Sequence, residues 1–304
     1  MAKNRIKQSL SDRIFDILNT VFMCLLVFIF LYPLYFVVIA SFSDPDEVVA
    51  GRVFLYIKGF NLESYSSVFV TKHIWEGYRN TIFYTLFGTL FSLFLTIPGA
   101  YAMSKRFLPW RPFFSWVFFV PMFFGGGMIP TYLLVRDLRL LDTPYVLIIM
   151  SSLSLYNMVV ARTYYENSIP DSLFEAARID GAGELSMFVR IAVPLSAPII
   201  AVMALYYAVA RWNSYFDGLL YVSKKAYEPL QVILRRILVL NQSALDNAMQ
   251  SGNGQEAALQ IKRRNLAEGM KYALVFISSL PMLIVYPFIQ KFFVKGIMVG
   301  AIKS

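Results

Sequence analysis

The sequence has little charge, one cysteine and one histidine. Charged residues make up 15% of its 304 residues, while 58% are hydrophobic. A soluble domain of this length carries roughly a quarter charged residues. The deficit, with a mean hydropathy of +0.57, argues that lipid rather than water solvates much of the surface. Cys24 stands alone, so no internal disulfide forms and the redox compartment cannot be read from it. His73 also stands alone, which makes a Cys–His metal cluster or a relay needing a second histidine hard to build. No G-x-x-x-x-G-K-S/T loop occurs, so this chain does not hold ATP through a P-loop.

Aromatic rings are plentiful, with 27 Phe and 19 Tyr. Such rings suit hydrocarbon cores, interfacial belts and sugar-stacking surfaces alike. The net charge of +9 raises nucleic acid as a partner, but the basic residues flank apolar runs, as Lys3, Arg5, Lys7 and Arg13 do. Facing the cytoplasm and anionic lipid explains them more simply, and no nucleic acid is expected. The apolar run from Val21 to Ala40 is longer than a signal-peptide core and long enough to span.

The pattern predicts an all-α integral membrane protein, one membrane domain over 1–304, with six spans. They fall at about 14–42, 81–103, 113–135, 144–163, 191–220 and 272–294. Pro121, Gly125–Gly127 and Pro130 break the third. Those glycines kink the helix or let a neighbour approach. The first basic cluster places both termini in the cytoplasm. The segment from Tyr221 to Met270 then lies outside despite Lys224, Lys225, Arg235, Arg236, Lys262, Arg263 and Arg264. Outer segments at 43–78 and 221–270 are too long for simple turns. The stretch ALDNAMQSGNGQEAALQIKRRNLAEGMKYA, residues 244–273, reads as helical with a Gly-Asn-Gly break at 252–254, and the second outer segment either contacts a partner or is solvated.

Between the fourth and fifth spans runs EAARIDGAGELSMFVRIAVPLSAP, from Glu175 to Pro198. Ser168 can cap a helix whose first turn takes Pro170 and Asp171. Leu173, Ala176 and Ala177 form one small apolar stripe, with Ile169 just before them. Gly181 fits a left-handed helix end, and a second helix begins at Glu184. This elbow, at 167–190, suits a groove on another protein. The plainer alternative is a helix lying on lipid headgroups, and Asp171, Glu175, Asp180 and Glu184 weigh against it.

The run Glu175-Ala176-Ala177, three residues, Gly181, then Ile191-Ala192-Val193-Pro194 resembles the EAA loop of binding-protein-dependent ABC importers. Val193 stands where that pattern usually has Leu. GGGMIPTYLLVRDLRLLDT, GFNLESYSSVF, WNSYFDGLLYV and FVKGIMVGAIKS look like segments of carbohydrate permeases of the polysaccharide and lipo-oligosaccharide type. The resemblance implies a type I importer permease fold in a bacterial cell membrane. It implies that the elbow is a coupling helix docking on a separate ATPase, with that role carried by Glu175, Ala176, Ala177, Arg178, Asp180 and Gly181. It implies two ATP-binding subunits, a second homologous permease, an extracellular solute-binding protein and an oligosaccharide substrate. The chain itself is then no enzyme and binds no cofactor or metal, because ATP and Mg belong to the partner ATPase.

A substrate path is sought where polar and aromatic groups meet a span. Trp212, Asn213, Tyr215 and Asp217 cluster near the end of the fifth, and Asn80 and Tyr84 start the second. Arg211 and Asp217 should face a cavity or each other, since charge in hydrocarbon is costly. An interfacial belt with an end ion pair is the alternative. A secondary transporter usually needs ionisable groups at mid-membrane, and the span centres lack Asp, Glu and His. An intramembrane enzyme lacks its catalytic constellation. A passive scaffold would not need the acidic elbow.

Overall fold

A computed structural model describes residues 9–237 and 254–301, with side chains over 9–237 and 261–287. Every regular element among them is helical. They fall into two compact units, one drawn from residues up to 70 and 254–278, the other from 71–237 and 279–301.

In the first unit, α1 (Leu10–Ser41) opens with a capping box: the Ser9 hydroxyl accepts from the Asp12 amide, and Asp12 accepts from the Ser9 amide. The helix is long enough, at about 1.5 Å per residue, to cross a hydrocarbon core with turns to spare. Most of its side chains are exposed, Phe36, Val37 and Val38 are half-buried, and only Ile39, Ala40 and Ser41 are buried. A row such as Phe15, Phe22, Phe28 and Phe30 in water would be strongly unfavourable, so lipid is its solvent. Asp44 caps α2 (Pro45–Val49), and α3 (Glu63–Val70) follows. Tyr65 of α3 bonds the Ser41 hydroxyl at 2.8 Å. The first half of α15 (Gly254–Ala301) closes this unit, with Tyr272 edge-on to Phe36 and Asn265 donating to Asp46.

The second unit is built on α4 (Lys72–Ser104), against which α8 (Leu155–Ser168) and α12 (Ala197–Trp212) pack. The predicted second span therefore starts nine residues earlier, at Lys72 rather than Thr81. The third splits into α5 (Arg111–Phe123) and α6 (Met128–Asp137), bent by 116° across the glycines. Gly127 supplies a left-handed φ of 87° at that bend.

The fourth predicted span is not one helix. A single turn, α7 (Val146–Ile149), ends before the serines, where Ser151 takes a left-handed φ of 56°, and Ser154 then caps α8. The Ser154 hydroxyl accepts from the Asn157 amide at 3.3 Å, which starts a new helix after the break. The fifth begins as α10 (Glu184–Met187), widens to a π turn over Phe188–Ala192, resumes as α11 (Val193–Leu195) and bends by 78° into α12. Pro194 has no N–H and crowds the carbonyl of Arg190, which explains the widened turn. α13 (Tyr215–Tyr221) and a helix over 230–237, α14, complete the unit before the second half of α15.

Among the described residues, three helices are long and apolar enough to cross a membrane, or five if each bent pair is one span. Part of the predicted 244–273 helix, with Gly252 and Asn253 of its break, lies outside the described residues.

Candidate functional site

The elbow sits at the end of α4. Helix α9 (Asp171–Ile179) starts at Asp171, with Pro170 in the capping position. Ser168 instead ends α8, so it does not cap α9. At the other end the Ala182 amide donates to Ala177 O at 2.9 Å and the Gly181 amide to Arg178 O at 3.1 Å. With Gly181 at φ 81°, this pair of bonds is a complete Schellman stop. The next helix turn begins at Glu184, and Arg178 pairs with Glu184 at 3.2 Å.

Phe174 is the root of the elbow. It is buried with Tyr101, Met103, Tyr165 and Met187, and Ala177 packs on the same cluster. The Tyr101 ring centre lies 5.9 Å from that of Phe174, 5.6 Å from Tyr165 and 5.0 Å from Phe188. Lys105 Nζ sits 3.1 Å over the Phe174 ring. Burial pushes the Lys105 ammonium down, with Glu184 and Asp171 opposing that shift.

This geometry divides the predicted apolar stripe. Ala177, half-buried, faces inward with Phe174 and packs against that core. Leu173, Glu175, Ala176, Arg178, Ile179 and Asp180 are exposed, and Ile179 is 87% exposed. The outward face is thus Leu173, Ala176 and Ile179, flanked by charge.

The predicted path residues are held by contacts within the chain. Asn80 donates to Ala226 O and Glu228 O, and the Tyr84 hydroxyl to Tyr227 O. Thr81 accepts from the Leu230 amide. Together they clamp the 226–230 segment onto α4. Gly77 lets it approach, since a Cβ there would sit 2.5 Å from Ile233 and 3.1 Å from the Leu230 backbone. Glu228, buried, is held by Arg236 through both carboxylate oxygens and by His73 Nε2 at 3.2 Å. Trp212 is buried beside Tyr78, Asn213 donates to Val209 O, and Tyr215 accepts from Arg235.

Arg211 does not form the expected ion pair at bonding distance. Its buried guanidinium donates to the carbonyls of Leu147, Ile148 and Met150, the open end of α7, while Asp217 lies in the first turn of α13. Asn80 and Ser104 are 24 positions apart on α4, which puts the clamp and the elbow about 36 Å apart along it.

No family model matches the chain. It is 36% identical over 295 residues to the polygalacturonan/rhamnogalacturonan transport system permease protein YtcP of Bacillus subtilis, covering 97% of this chain and 100% of the relative. Protein LplC of the same organism is 37% identical, with 97% and 96% covered. Among solved structures, a chain from a bacterial ABC transporter involved in the import of the acidic polysaccharide alginate is similar, with a TM-score of 0.83 and 36% identity. It is covered in full by 95% of this chain. The chain belongs to the carbohydrate ABC importer permeases. Such permeases are multi-pass membrane subunits and not themselves enzymes.

Reading this permease by sequence alone missed Phe174, Lys105 and the Glu228–Arg236–His73 group. Phe174 carries a signal, lying three residues before Ala177 on one helical face. The other two depend on segments distant in sequence, and nothing local announces them.

Proposed function

We propose that the chain is the transmembrane subunit of an ATP-driven importer of oligosaccharides or polysaccharide fragments. Its elbow docks on a separate ATPase, which holds ATP and Mg. The observation that carries this is the outward face of α9, where Leu173, Ala176 and Ile179 stand exposed over a root locked by Phe174. An apolar helix face on a rigid base is suited to a partner's groove. Glu175, Arg178 and Asp180 then supply polar contacts at its rim, and Gly181 sets the turn. The chain works as one permease with six crossings and both termini in the cytoplasm. A second homologous permease completes the path, and an extracellular solute-binding protein delivers the substrate to the face that carries the 226–230 clamp.

Relatives named for polygalacturonan/rhamnogalacturonan and for alginate favour acidic fragments. The exposed cations Lys224 and Lys225 near the clamp suit such substrates. The deciding test is Ile179→Asp in the complete importer. ATPase subunits are expected to stop co-purifying, while the chain stays extractable and folded. Full retention of the ATPase, with sugar-stimulated hydrolysis, overturns the docking role. Oligogalacturonide should stimulate hydrolysis more than a neutral oligosaccharide of equal length.

A further inference from the structure

Beside the elbow lies a cavity of about 470 Å3, walled by the ends of α4 and α8, the start of α5 and one side of α9. Five basic side chains line it, Lys105, Arg106, Arg111, Arg162 and Arg178, against the carboxylates of Glu166, Asp171 and Glu175. Arg111 and Arg162 both hold Glu166, the latter at 3.0 Å, so that carboxylate is neutralised within the wall. Arg111 also donates to Met103 O, which fixes it across the end of α4. Arg106 is exposed and has no ion pair among the described residues.

One aromatic ring, Phe107, lines the cavity, and Trp110 adjoins its lining residue Arg111 in the chain. Residues 105–110 turn tightly, with Trp110 in a left-handed conformation at φ 60°. That backbone is costly for a bulky residue. Trp110 is 78% exposed and Phe107 57%, followed on α5 by exposed Trp116. Exposed Trp and Phe beside arginines, at the end of a spanning helix, match the level of lipid headgroups. Guanidinium groups take phosphate oxygens in paired hydrogen bonds.

We propose that this cavity binds the phosphate of an anionic phospholipid from the leaflet on the elbow side, with Arg106 as the main ligand and Phe107 and Trp110 seated among the acyl chains. The lipid thereby braces the wall from which α9 projects. That the leaflet is the cytoplasmic one rests on the orientation proposed above; the site itself does not.

The importer, with its partner subunits, is to be purified from vesicles of equal parts phosphatidylglycerol and phosphatidylcholine, and its retained lipids counted by native mass spectrometry. Several-fold enrichment of phosphatidylglycerol is expected. Arg106→Glu should abolish it and Arg106→Gln reduce it, while Lys225→Glu, near the clamp, should leave it intact. Equal retention of both lipids, or enrichment unchanged in Arg106→Glu, overturns the proposal. So does displacement of the lipid by millimolar inorganic phosphate, which would make this a soluble-phosphate site. Enrichment in the chain alone that vanishes in the assembled importer assigns the cavity to the ATPase and also overturns it. Ile179→Asp should detach the ATPase yet keep the enrichment, so failure of docking and failure of lipid binding read out separately.

Discussion

Arg211 shows what one side chain does when its charge cannot reach water. Its fork meets three carbonyls that α7 leaves open, at the negative end of that short helix. Gly88 makes room for it, since a Cβ there would lie 3.0 Å from Arg211 Nε. Hydrogen bonds between helices in a bilayer average about 0.6 kcal/mol each, so Arg211→Met is expected to remove roughly 2 kcal/mol. Thermal unfolding in detergent checks this, and Arg211→Lys should restore only part, because an ammonium cannot span the same carbonyls. Phe174→Ala acts at the opposite end. Truncating a buried ring leaves a cavity worth about 3 kcal/mol. Faster hydrogen exchange across 171–182 and weaker ATPase retention are the expected readouts.

At the scale of elements, the elbow and the clamp each depend on one backbone device. The Schellman stop needs Gly181 in the left-handed region. Open space surrounds that position, so Gly181→Ala meets only a conformational penalty of about 1 kcal/mol. Exchange at the α9 amides should quicken by about five-fold, while α4 and α12 stay unchanged. The clamp is a set of side chains closing on main chain. Asn80→Ala leaves the Ala226 and Glu228 carbonyls without their donor. Proteolysis within 223–230 should increase in that variant, with the elbow unaffected about 36 Å away. Undiminished protection of that segment would refute the clamp.

For the whole molecule, transport should require the assembly. The purified chain in liposomes is expected to move no labelled oligosaccharide, with or without a proton or sodium gradient. Adding the second permease, the ATPase subunits, the solute-binding protein and ATP should start uptake. Gradient-driven uptake by this chain alone would revive a secondary transporter.

Composition and pattern alone determined that this chain is helical and membrane-embedded, because hydrocarbon imposes long apolar runs and internally bonded backbone. The elbow was also legible, since the residues that begin and stop a short helix act on their own neighbours. Gly181 and Glu184 stand where their local chemistry placed them. Contact between distant segments decided the rest. Ala177 turned inward because Phe174 had a core to enter. Asn80 and Tyr84, polar and near a span end, read as path residues until the 226–230 backbone claimed their hydrogen bonds. The fourth segment broke at its serines because Arg211, about sixty positions later, could satisfy the carbonyls so exposed. Periodicity records which face of an element is apolar, whereas partners for buried polar groups exist only once the helices have packed.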